Sequence, residues 1–109
     1  MSTPLPFHPV LTLAAARQVA AAAEAEAVAR GWTVVIAVVD AAARLVLLQR
    51  LDGTMPASID LAIAKAVSAA TFRRPTKAFE EALVGGRQAI LGLAGAVPVA
   101  GGVPLCYRG

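Results

Sequence analysis

One cysteine, one histidine and five aromatic side chains are all that this 109-residue chain contains of those residue types, and only 16% of it is charged. The single cysteine, Cys106, excludes an intrachain disulfide and makes the reducing cytoplasm the expected compartment. With His8 as the only histidine, a multidentate zinc site has too few ligands, and a Ser-His-Asp or Cys-His apparatus lacks its surrounding motif. Basic residues are scattered from Arg17 to Arg108 without a run, and aromatics are too few to stack bases, so nucleic acid is excluded as a partner despite a net charge of +3. Gly85-Gly86-Arg87 lacks the spacing of a phosphate loop. No cationic segment precedes an apolar core, so no secretory signal is expected. The stretch from Gln88 to Tyr107 is free of charge, but Gly92, Gly95, Pro98, Gly101, Gly102 and Pro104 interrupt it, which predicts turns and a short strand rather than a membrane span.

Apolar residues, by contrast, make up 58% of the chain, against about 45–50% in ordinary soluble domains. One domain spanning residues 1–109 has too little interior to hide that excess, which predicts burial in a homo-oligomer. Thr12 as N-cap and Gly31 as stop predict a first helix rich in alanine, with Ala16, Val19, Ala20, Ala23 and Ala27 on one face. Thr33–Val39 and Arg44–Arg50 read as two strands apolar on both faces, joined by a turn at Asp40–Ala43. In the second strand Leu45 and Leu47 are expected on one face, Val46 and Leu48 on the other. Asp52-Gly53 and Pro56 lead into a second helix over Ala57–Phe72, ended by Arg73, Arg74 and Pro75. Its core stripe is Ile59, Ile63, Ala66 and Ala70, with Leu61, Lys65, Ser68 and Phe72 on a neighbouring face. Thr76 is expected to cap a third helix that Gly85-Gly86 ends, followed by a helical turn over Arg87–Leu93 and an irregular strand over Val97–Val103. The fold class is α/β in two layers: an antiparallel sheet with helices on one face and the other face free for self-association.

Lys65 lies on an alanine-rich helix between Leu61 and Phe72, where it could hold an anionic group or, desolvated, act as base or amine nucleophile. The alternative is a solvated lysine paired with Asp60 or Glu81. Arg73, Arg74 and Thr76 suit carboxylates, but also serve as helix-end chemistry. Asp40 and Arg50 close strands, where a rigid frame would present them, and turn chemistry accounts for them equally well. For an iron porphyrin, His8, Cys106, Tyr107 or Met55 are the available axial donors, His8 being taken as the metal ligand.

Val38-Val39-Asp40, Arg50-Leu51-Asp52-Gly53, Ala62-Ile63-Ala64-Lys65-Ala66 and Arg73-Arg74-Pro75-Thr76, in this order, resemble the GlcG/HbpS family of small haem-binding and haem-degrading-type proteins. The likeness runs from Leu11 to about Pro104. It implies a cytoplasmic protein that binds haem or a similar planar anion in an apolar pocket, with Lys65, Arg50, Arg73, Arg74, Thr76, Phe72, Gly101 and Gly102 as ligand-binding positions. Two other functions stay open: a metal-independent isomerase or hydrolase acting on a small carboxylated metabolite through Lys65 and Asp40, and a structural oligomer without a ligand. Members of that family continue beyond the Gly101-Gly102-Val103-Pro104 segment with a strand hairpin and a closing helix. Either this sequence is a truncated form of such a chain, or a shortened domain takes up its unpaired strand edge by pairing with another subunit.

Overall fold

In the computed structural model, which describes residues 3–105, three helices and one β-hairpin form an α/β domain. Helix α1 (Leu13–Ala29) starts where Thr12 Oγ1 accepts a hydrogen bond from Ala15 N at 3.1 Å. It stops at Gly31, whose φ of 68° is open to glycine at little cost, while Trp32 N donates back to Ala27 O. Ala16, Ala20 and Ala27 are its buried residues, while Ala23 of the expected face is exposed.

Strands β1 (Val35–Val39) and β2 (Leu45–Arg50) pair antiparallel, Val35 opposite Arg50 and Val38 opposite Leu47. The register then slips, so that Val39 faces Leu45 and Val46 is the extra residue of a bulge. This corrects the alternation expected of β2. Val46 and Leu47 are both half-buried, whereas Leu45 and Leu48 are exposed. The hairpin turn is built by Asp40, whose Oδ1 accepts from Ala42 N at 2.9 Å and Arg44 N at 3.0 Å, and Ala43 completes it at φ 61°.

Helix α2 (Ala57–Phe72) packs along β1, and α1 lies across both strands. Its fully buried residues are Ser68 and Ala69 rather than the isoleucine stripe, because Ser68 Oγ accepts from Val97 N at 3.1 Å. Helix α3 (Thr76–Val84) is capped by Pro75, not by Thr76. Thr76 is instead the first helical residue, fully buried, with its side chain turned to a partner far along the chain. The expected strand over Val97–Val103 is absent among the described residues. After a 3-10 helix at Gln88–Gly92, the chain runs irregularly and is tied to Ser68 and Thr76 instead of to the sheet.

The buried apolar set is small and mostly alanine: Ala16, Ala20, Ala27, Val38, Ala69, Phe79 and Ile90. Small side chains let α1 and α2 approach the hairpin closely but fill little volume. The radius of gyration is 15.7 Å, where a chain of this length is expected near 13 Å.

Candidate functional site

A cleft of about 1260 Å³ opens between α1, β1, α2 and the segment Gly101–Leu105. Every residue of β1 borders it, one face of α2 from Ser58 to Arg73 forms a wall, and Pro9–Leu11 close one side. Its lining is largely aliphatic, with Lys65 and Arg73 as the cations, Asp40 as the carboxylate, and Thr33 and Ser58 as the neutral polar side chains.

Lys65 is half-buried, with its side chain against the Gly101–Leu105 segment. A Cβ added to Gly101 would lie 3.3 Å from Lys65 Nζ and 3.4 Å from its Cδ, so the lysine stem rests on bare glycine backbone. Gly102 comes closer still: a Cβ there would overlap the Lys65 carbonyl oxygen and stand 2.8 Å from Thr76 Cγ2. Reciprocal bonds hold this approach. Gly102 N donates to Thr76 Oγ1 and Thr76 N donates to Gly102 O, each at 2.9 Å. Thr76 and Gly102 therefore fasten the irregular segment to the start of α3 and hold it against the Lys65 carbonyl of α2. Lys65 makes no ion pair among the described residues, and Glu81, one of its expected partners, pairs with Lys77 at 3.8 Å.

The two arginines at the end of α2 separate. Arg73 takes a left-handed conformation, φ 53°, which stops the helix, and it lines the cleft. Arg74 turns away, its guanidinium 5.6 Å from the centre of the Phe79 ring and its Nε donating to Phe72 O. Phe72 meets Phe79 edge to face at 5.2 Å, behind the cleft wall. Of the residues singled out from sequence, Lys65, Asp40, Arg73, Gly101 and Gly102 therefore meet at one cleft. Arg50, Arg74, Phe72, Thr76 and His8 are outside its lining. His8 is exposed in the N-terminal segment, Met55 is exposed and also off the lining, and Cys106 and Tyr107 lie outside the described residues. Thr33 and Ser58 were not singled out; their positions just ahead of β1 and in the first turn of α2 were the only signal available. No group of three metal-ligating side chains occurs among the described residues, and no helix there is long and apolar enough to cross a membrane.

Residues 11–109 match the family described as haem degrading protein HbpS-like. Protein GlcG of Escherichia coli (strain K12) is 35% identical over 100 residues, which are 92% of this chain and 75% of GlcG. Among solved structures, the Klebsiella pneumoniae protein ORFY superposes with a TM-score of 0.86 at 28% identity, over 99% of this chain and 77% of that one. HbpS superposes with a TM-score of 0.82 at 32% identity, over 94% of this chain and 72% of HbpS.

Proposed function

Since this chain belongs to the family of haem degrading protein HbpS-like chains, we propose that its cleft binds haem or a similar flat molecule carrying carboxylates. The observation that carries the reading is an aliphatic cleft in which, among the described residues, Lys65 and Arg73 are the cations. An apolar ring system gains from the aliphatic walls, and carboxylates gain from ammonium and guanidinium groups at their edge. The volume, about 1260 Å³, exceeds the roughly 300–1,000 Å³ of usual small-ligand pockets, which supports a ligand as large as a porphyrin. The aliphatic walls suit such a ring, and Lys65 and Arg73 suit its propionates. Among the described residues no imidazole, thiolate or thioether stands in the lining, so the reading assigns binding to Lys65, Arg73 and the aliphatic walls and gives His8 no part in ligation. When bound, haem supplies a redox-active iron. The single cysteine supports a cytoplasmic setting for this binding.

A haemin titration followed in the Soret band tests the proposal. We expect saturable binding, and for Lys65→Met a loss of affinity of about tenfold, the equivalent of roughly 1.4 kcal/mol. Nonspecific uptake by the unaltered protein, or an affinity indifferent to both Lys65→Met and Arg73→Met, rejects it. A second reading rests on Lys65 and Asp40 lining one cleft while Lys65 lacks an ion-pair partner among the described residues. There Lys65 serves as base or nucleophile toward a small carboxylated metabolite. Metal-independent turnover abolished by Lys65→Met, in a protein that ignores haemin, favours it.

A further inference from the structure

Lysine carries its charge at the end of a flexible four-carbon stem. The stem of Lys65 is laid against a floor. Its Cδ, Cε and Nζ stand 3.4, 3.9 and 3.3 Å from the point where a side chain of Gly101 would begin. That floor is held from both ends. Val97 N donates to Ser68 Oγ at 3.1 Å, and Gly102 N donates to Thr76 Oγ1 at 2.9 Å. Ser68 and Thr76 are both fully buried. Ser68 follows Lys65 by three residues on α2, so the two side chains are neighbours on one face of the helix. A segment caught at Ser68 and again at Thr76 has to pass Lys65 on its way, and Pro98 within it fixes one further dihedral.

Glycine is required at the point of contact on two counts. Gly101 has a φ of 128°, which L side chains rarely adopt, and a Cβ there would approach the ammonium more tightly than ordinary van der Waals contact. The main chain of the segment is pinned by Thr76 and by the close approach of Gly102 to the Lys65 carbonyl, so the lysine head is the part that would give way. No carboxylate competes for that head among the described residues, since Glu81 pairs with Lys77 and Asp60 is in no ion pair.

We propose that Gly101 is a positioning residue: it fixes where the Lys65 ammonium stands, and thereby where a carboxylate of the ligand is received. The latter role rests on the proposed binding of haem or a similar molecule; the former stands without it. A side chain at position 101 turns the lysine head toward solvent, and the affinity then lost is lost through Lys65, not through a contact of residue 101 itself.

Gly101→Ala tests this with a readout that general destabilisation does not move. Lys65 and Lys77 are the two lysines of the chain, so reductive methylation with formaldehyde, followed peptide by peptide by mass spectrometry, gives a rate for Lys65 with Lys77 as the internal standard. The Lys77 side chain is 68% exposed. In the unaltered protein Lys65 should react more slowly than Lys77, and in Gly101→Ala that gap should close while the Lys77 rate stays the same. Haemin titration of the cycle formed with Lys65→Met reads the second role. Gly101→Ala is expected to lose about threefold to tenfold in affinity when Lys65 is present and nothing further in the Lys65→Met background. If Gly101→Ala does not fold, proton NMR of the unaltered protein decides: nuclear Overhauser effects between the Lys65 δ and ε protons and the Gly101 α protons support the proposal, and their absence overturns it. Equal methylation rates of the two lysines in the unaltered protein, a Lys65 rate that Gly101→Ala leaves unchanged, or an affinity loss that persists in the Lys65→Met background also overturn it. A protein that takes up no haemin specifically removes the carboxylate-receiving role together with the binding reading, while the methylation rates still decide whether Gly101 positions Lys65.

Discussion

Replacing Thr76 by valine keeps the volume and shape of a fully buried side chain and deletes only its hydroxyl. That hydroxyl accepts from Gly102 N at 2.9 Å, and Gly102 is itself buried, so the variant strands one N–H in a site that water does not reach. The second bond, from Thr76 N to Gly102 O, is main chain and survives. The loss is therefore that of one unsatisfied buried donor, about 2 kcal/mol, which for a domain near this size lowers Tm by roughly 8–15 °C. Thr76→Ser restores the acceptor while losing a methyl group, and should recover most of the difference. Thermal unfolding at one fixed protein concentration is the assay, since association would otherwise shift Tm by itself. Because the same contact backs the Lys65 turn of α2, Thr76→Val should also weaken haemin binding, by less than Lys65→Met does. A valine variant as stable as the parent would refute the view that this pair of residues, and not general packing, fastens the C-terminal segment.

Gly102→Ala should cost more than Thr76→Val, about 3 kcal/mol or beyond, because the new methyl overlaps the Lys65 carbonyl and neither backbone can withdraw; urea unfolding measures it. Asp40→Ala removes two hydrogen bonds from the hairpin turn and is expected to lower stability by about 1–2 kcal/mol, while Ala43→Gly, at φ 61°, should raise it by up to about 1 kcal/mol. Thermal melts of the single and double variants check both signs. Thr12→Ala takes away the cap of α1 and should cost about 1 kcal/mol, read from the same melts.

The ends of the elements were legible because their signals are local. Thr12, Gly31 and the Arg73-Arg74-Pro75 and Gly85-Gly86 steps act on neighbours within one helical turn, and the boundaries fell where those residues placed them. Thr76 was misread for the opposite reason. Its residue type suits a cap, but its partner lies 26 residues ahead, and no local pattern announces such a contact. The same contact displaced the strand expected over Val97–Val103, since a backbone drawn against α2 by two glycines is not available to the sheet. Lys65 stood out as a lone cation in an alanine-rich helix, and its place in the cleft follows from that spacing. Arg73 and Arg74 could not be told apart in sequence, because which of them faces the cleft depends on a single backbone dihedral at the helix end.

That dihedral has a bearing on how this protein responds to selection. Arg73 occupies a conformation in which any side chain beyond glycine costs about 1 kcal/mol or more. Glycine would end the helix equally well and leave the fold firmer, but it would strip the cleft of one of the two cations that line it among the described residues. A screen for thermal resistance alone should thus drift toward Arg73→Gly, whereas a screen for retention of an anionic ligand should hold the arginine. The position sets durability and recognition against each other within one residue.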